Sequence, residues 1–206
     1  MPYQRNTLSD LRWNSITNEY DRVFDQNDYY IKNIKNTTYQ GNEIINSIDL
    51  NYKPWVNNSI CRAFDSCTNL TSITNINQNI TNGYLAFHNC INLINISTIP
   101  NSISNMDGMF ENCINLTNIP TIPNSVTTLS YTFQNCTNLM GNIYIESESI
   151  ESVEMCFTDT SLTKNVYIPF NYTNNTHTIT YNSFIREGYD EIGTQHGVYL
   201  KDINQI

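Results

Sequence analysis

The sequence predicts a β-rich solenoid of 23-residue coils, each with one short strand, capped at both ends. Three observations predict it. A motif recurs without gaps: Phe64, Cys67 and Leu70 return as Phe87, Cys90 and Leu93, as Phe110, Cys113 and Leu116, and as Phe133, Cys136 and Leu139. Apolar columns outside the motif keep the same 23-residue period, and both termini lack it. Self-similarity at a fixed period of this size is the signature of stacked repeats.

The N-terminal element, residues 1–53, falls outside the period. Leu8, Leu11, Tyr20, Val23 and Phe24 suggest a helix after Thr7 and Asp10, a variant of the capping box. Residues 28–31 and 43–48 read as strands. The segment is longer than a cap requires and carries Trp13, Tyr20, Phe24, Tyr29 and Tyr30. Aromatics are common interface anchors, so these five are candidate attachment residues; covering the first coil is the plainer reading.

Residues 54–170 form the repeat region. Ile73, Ile96 and Ile119 make one column, and Ile76, Ile99, Ile122 and Ile145 a second. Ile80, Ile103, Val126 and Ile150 make a third, and Ile60, Met106, Leu129 and Val153 a fourth in which Gly83 is the exception. A fifth, degenerate copy starts at Phe157, one residue late, with Thr160 in the cysteine place. One coil cannot bury so many columns alone, but stacked coils turn each into a continuous ladder. Full burial of one Phe, Leu or Ile is worth roughly 1.5–3 kcal/mol, which lets each coil offset its own ordering entropy. The Ile-rich portion, such as residues 116–122, should be the strand, with Pro100, Pro120 and Pro123 at strand ends or turns. The Phe-x-x-Cys portion should lie on the opposite side as a tight turn or a short helical turn.

These residues resemble the BspA-like leucine-rich repeats of bacterial surface proteins and some bacteriophages, whose units combine Phe-x-x-Cys-x-x-Leu with Ile-Pro-x-x-Val. Residues 119–126, from Ile119 to Val126, are the nearest copy. The resemblance implies a leucine-rich-repeat solenoid used for binding. The tail from Val166 through Tyr181 and Ile185 to Ile203 is similar to the closing segment of phage-borne members.

The last element, residues 171–206, reads as the C-terminal cap. Ile179, Tyr181, Phe184 and Ile185 have helical spacing ahead of Gly188, a good stop signal, and Val198 to Leu200 suit a final strand.

The net charge of −9 and a pI of about 4.6 argue against nucleic acid, whose phosphates need a basic stripe, and against an anionic membrane surface. No apolar run is long enough to span a membrane, and the first residues lack the apolar core of a signal peptide. Asn fills 34 positions, which suits a turn-dense fold.

No catalytic site is recognisable. Cys67, Cys90, Cys113 and Cys136 recur at the coil period, and a line of sulfurs does not make a zinc tetrahedron, so buried free thiols are expected. Cys156 takes the place of Ala63, Ala86 and Met109, and Cys61 stands apart. His88, His177 and His196 lie beside no nucleophile motif. Glu146, Glu148, Glu151 and Glu154 read as a solvated acidic edge. The sequons at Asn36, Asn69, Asn95 and Asn115 are the chance product of an Asn- and Thr-rich chain. No metal or cofactor is expected.

The outward strand positions Thr74, Asn75, Asn95, Ser97, Thr98, Asn118, Thr121, Asn142 and Tyr144 make an uncharged hydrogen-bonding face, suited to sugars or a neutral protein surface. The expected function is a non-enzymatic binding or structural component of a bacteriophage particle, for host-surface attachment or decoration. It would be made in the host cytoplasm without a signal peptide. Its partner is a particle protein or a host-surface protein or glycan, and self-association is open. A bacterial cell-surface adhesin is the alternative, and an enzyme the weakest one.

Overall fold

The computed structural model describes residues 11–14, 19–22, 40–41, 47–50, 56–160, 164–170, 178–191, 193 and 198–206. Of the expectations above, those on Thr7, Leu8, Asp10, Val23, Phe24, Tyr29, Tyr30, Asn36, His177 and His196 lie outside these residues, as do the strand at residues 28–31 and the first part, 43–46, of the one at residues 43–48.

Leu11–Asn14 (β1) and Glu19–Arg22 (β2) pair antiparallel, with Trp13 opposite Tyr20. The helix expected here is therefore replaced by strands. Backbone pairing between the two strands outweighs a weak local capping signal.

Ser47–Leu50 (β3), Ser72–Ile76 (β4) and Asn95–Ile96 (β5) form a parallel three-stranded sheet in that order. Ile143–Tyr144 (β6), Lys164–Ile168 (β7) and Val198–Asp202 (β8) form a second. Between β5 and β6 the expected strand at residues 116–122 does not form; only a bridge from Ile122 to Ile145 marks it. Pro120 has no N–H to donate and interrupts the ladder there. The burial pattern also changes across this gap. Ile73 and Ile76 point inward around a bulge that leaves Thr74 and Asn75 both exposed, whereas β6 to β8 alternate strictly, with Ile143, Ile145, Val166, Ile168, Val198 and Leu200 inward.

The Phe-x-x-Cys segments are turns, at residues 61–66, 84–89, 107–112, 130–135 and 154–159. Their backbone groups are paired in two alternating ways. Arg62, Phe64 and Ser66 donate N–H to the carbonyls of Tyr84, Ala86 and His88, while Ala63, Asp65 and Cys67 donate back three residues within the turn. The next repeats copy this scheme. It places two left-handed residues in every turn: Arg62 and Ser66, Leu85 and Asn89, Gly108 and Asn112, Tyr131 and Asn135, Met155 and Asp159. A left-handed residue costs an ordinary side chain roughly 1–2 kcal/mol. The second position holds Asn in three of five turns, a residue that tolerates the conformation.

The core lies between strands and turns. Phe64, Phe87, Phe110, Phe133 and Phe157 are fully buried and stack as one row, with centroids 5.4, 5.7, 6.0 and 5.6 Å apart and planes within 10°. Leu70, Leu93, Leu116 and Leu139 form a second buried row. At the C-terminal end Phe184 stacks on Phe157 at 6.3 Å, from Ile179–Arg186 (α1). Thr178 caps α1 by accepting from the Tyr181 N–H, and Gly188 follows in the left-handed conformation. Thr180, Ser183 and Arg186 of α1 donate to the carbonyls of Ser147 and Glu151, so side chains satisfy backbone that a following turn would otherwise pair. On β8, Leu200 donates to the Asp190 carbonyl, covering part of the sheet's last edge.

Candidate binding face

Many Asn, Ser and Thr side chains of the repeats are committed to ladders. Asn135 donates its amide to Asn112 at 2.8 Å, and Asn112 to Asn89 at 2.9 Å. Asn138 donates to Asn115, and Asn115 in turn to Asn92 and to the Ile91 carbonyl. Thr81, Ser104 and Thr127 each donate to a backbone carbonyl of the preceding repeat, and so do Ser102, Ser125 and Ser147, at 2.6 Å. The abundance of Asn thus has a structural use, since an amide that both donates and accepts links identical positions of stacked repeats.

The outward strand face differs. Asn95, Ser97, Thr98 and Thr121 are exposed, and no side-chain hydrogen bond joins them to another described residue. Thr74 is exposed and donates to the Ile48 carbonyl at 3.1 Å. Asn75 and Asn118 are exposed as well, Asn118 donating to the Thr117 hydroxyl. Asn142 is exposed, donates to the Tyr144 hydroxyl at 3.3 Å and accepts from Asn165. Half-buried Tyr144 stacks on Tyr167, centroids 5.0 Å apart and planes 12° from parallel. The nine expected residues thus lie on strand-side segments of successive repeats. Trp13 and Tyr20 belong instead to the β1–β2 pair, a separate sheet.

Sequence reasoning missed the continuation of this face across β7 and β8. Asn165 and Tyr167 follow Asn142 and Tyr144 in register, and Tyr199 and Lys201 follow them in turn. The Lys201 ammonium stands 5.8 Å from the Tyr199 ring centre. Adding the repeat length to Asn142 and Tyr144 leads to Asn165 and Tyr167, a signal obscured by the irregular fifth copy.

The other candidates are placed as follows. Cys67, Cys90, Cys113, Cys136 and Cys156 are buried free thiols, and Cys61 is half-buried. Cys90, Cys113 and Cys136 each donate S–H to the Phe carbonyl of the preceding repeat, at 3.1–3.2 Å. Burial holds the Cys90 and Cys113 thiols well above the ordinary cysteine pKa, and raises Cys61 less, against the pull of Arg62. His88 Nδ1 meets buried Asp65 at 2.8 Å, the geometry of a base and its orienting carboxylate. Opposite Nε2, however, stands the Asn112 amide at 3.5 Å rather than a hydroxyl or thiol. Asp65 also accepts from Gln40 and Ser66, and its carbonyl accepts from the Gly41 N–H, so it ties the preceding segment to the first turn. Among the described residues no group of His, Cys, Asp and Glu is placed to hold a metal, and no helix is long and apolar enough to cross a membrane.

Comparison with known families gives one result. The model of the BspA type leucine rich repeat region matches in six copies, over residues 24–139 and 59–189. No curated protein and no solved structure matches the chain.

Proposed function

Because the chain belongs to the BspA type leucine-rich repeat family, we propose that it is a non-enzymatic binding protein whose repeats stack as a solenoid of 23-residue coils and present the strand-side face to a partner. One contrast carries this reading. Many polar side chains elsewhere pair across repeats, while among the described residues Asn95, Ser97, Thr98 and Thr121 have no side-chain partner, on a stretch without charge that leads to the stacked pair Tyr144 and Tyr167. In this reading residues 171–206 cap one end, and residues 1–53 cap the other and hold the attachment surface.

The setting we propose is a bacteriophage particle, with the chain in host-surface attachment or decoration. The similarity of the tail to the closing segment of phage-borne members supports it. The acidic charge fits a role away from nucleic acid. A cell-surface adhesin is the second reading, favoured by the family itself. Mass spectrometry of purified particles tests the choice. Copies of the chain in washed particles support the first setting, and recovery only from bacterial envelopes supports the second.

A further inference from the structure

Resting on that reading of the strand-side face, we infer that its ligand is a neutral oligosaccharide, seated with one pyranose ring on the open face of Tyr144. Among the described residues Tyr144 has one ring neighbour. Tyr167 covers one face at 5.0 Å, and the in-register residue on the other side is Thr121, brought there by the bridge between Ile122 and Ile145. Thr121 is small and exposed, so the ladder of rings ends in a step at Tyr144, beside a hydroxyl rather than another ring. The Asn142 amide fixes the phenol by donating to its oxygen at 3.3 Å, so the ring is held before any ligand arrives.

The step continues into a track of hydrogen-bonding groups. Thr98 lies one repeat length before Thr121, with Asn95 and Ser97 just ahead of it; all are exposed, and among the described residues none has a side-chain hydrogen-bond partner. Successive rungs are about 4.8 Å apart, so Thr98, Thr121 and Tyr144 span roughly 10 Å, the length of a short oligosaccharide. A sugar matches both parts: its axial C–H face is apolar and suits an aromatic ring, while its hydroxyls suit amides and alcohols. No charged residue occupies these positions from Asn95 to Tyr144, which disfavours an anionic glycan.

Titration calorimetry of the full chain with cellohexaose, chitohexaose and maltoheptaose, and with polygalacturonate as the anionic comparison, tests this. At least one neutral probe is expected to bind with an affinity insensitive to salt. Tyr144→Ala should weaken it roughly tenfold, and Tyr144→Phe, which keeps the ring, should leave it near wild type. Thermal unfolding identifies a misfolded variant, in which case Thr121→Glu, which places a charge on the step, takes its place with the same expected loss. Binding unchanged in Tyr144→Ala, preference for polygalacturonate, or no binding of any neutral probe overturns the inference. If the chain still binds host cells while neutral sugars neither bind nor compete, the binding role stands and only the ligand class is wrong.

Discussion

The sulfur of Met109 lies 2.8 Å from the point where a Cβ on Gly83 would stand. One repeat's missing side chain is thus filled by a long one from the next. Gly83 stands in the column of Ile60 and Met106, and Met109 in that of Ala63 and Ala86, so two departures from the repeat compensate each other. Gly83→Ala alone should cost about 1–3 kcal/mol by overpacking, and Met109→Ala alone about 2–5 kcal/mol by leaving a cavity. The double variant should cost less than the sum, by about 0.5–3 kcal/mol. Urea denaturation of the four proteins checks this; strict additivity would mean the two positions do not share space.

Phe110 stands mid-row, with stacked rings at 5.7 and 6.0 Å on either side. Phe110→Ala should cost about 3–5 kcal/mol and loosen both neighbouring repeats. Hydrogen exchange should show lost protection at the amides of Phe87 and Phe133 as well as locally. A loss confined to residues 107–113 would contradict this.

Asn112 combines a left-handed backbone with a place in the amide ladder. Asn112→Gly removes the ladder bonds and keeps the backbone unstrained, whereas Asn112→Ala adds strain of about 1 kcal/mol. Equal melting temperatures for the two variants would show that the backbone conformation carries no cost.

Native-state alkylation should be fastest at Cys61, the half-buried thiol, and slow at Cys67, Cys90, Cys113, Cys136 and Cys156. Reaction needs an accessible thiolate, and burial opposes both access and ionisation. Mass mapping after brief iodoacetamide treatment gives the order, and rapid labelling of the Cys90–Cys136 row would sink the prediction.

Asp107 is half-buried, and desolvation raises its carboxyl above the ordinary range, partly offset by the Ser130 N–H that it accepts. A carboxyl raised in the folded state binds its proton more tightly there than in the unfolded chain. Its contribution to stability is therefore greatest at acid pH and falls as pH rises from about 4 through the raised value. Asp107→Asn keeps the acceptor without the charge. It should be at least as stable as the parent at neutral pH, with any advantage shrinking on acidification. An advantage that grows as pH falls would reverse the assignment.

Deleting residues 1–30 removes the candidate attachment residues Trp13, Tyr20, Phe24, Tyr29 and Tyr30 but keeps Gln40 and Gly41, which bond Asp65. On the attachment reading, the shortened chain melts cooperatively near the parent temperature and no longer joins its partner. Global unfolding would make the segment a cap.

The repeat, the buried Phe and Leu rows and the C-terminal helix were legible in the sequence. Each is a matter of which residue types recur at a fixed interval, and burial of identical side chains in register follows from that interval alone. Other features were decided only in three dimensions. The left-handed turn position occupied by Arg62, Leu85, Tyr131 and Met155 has no residue signature, because inter-repeat hydrogen bonds impose the conformation against local preference. The split of the strand region at Pro120, and the change from bulged to alternating burial across it, depend on how neighbouring strands pair. The same holds for the β1–β2 pair, where a weak local helix signal yields to cross-strand contact. The surroundings of Tyr144 are likewise a relation between repeats: only stacking sets its ring beside Tyr167 on one side and beside the exposed Thr121 on the other.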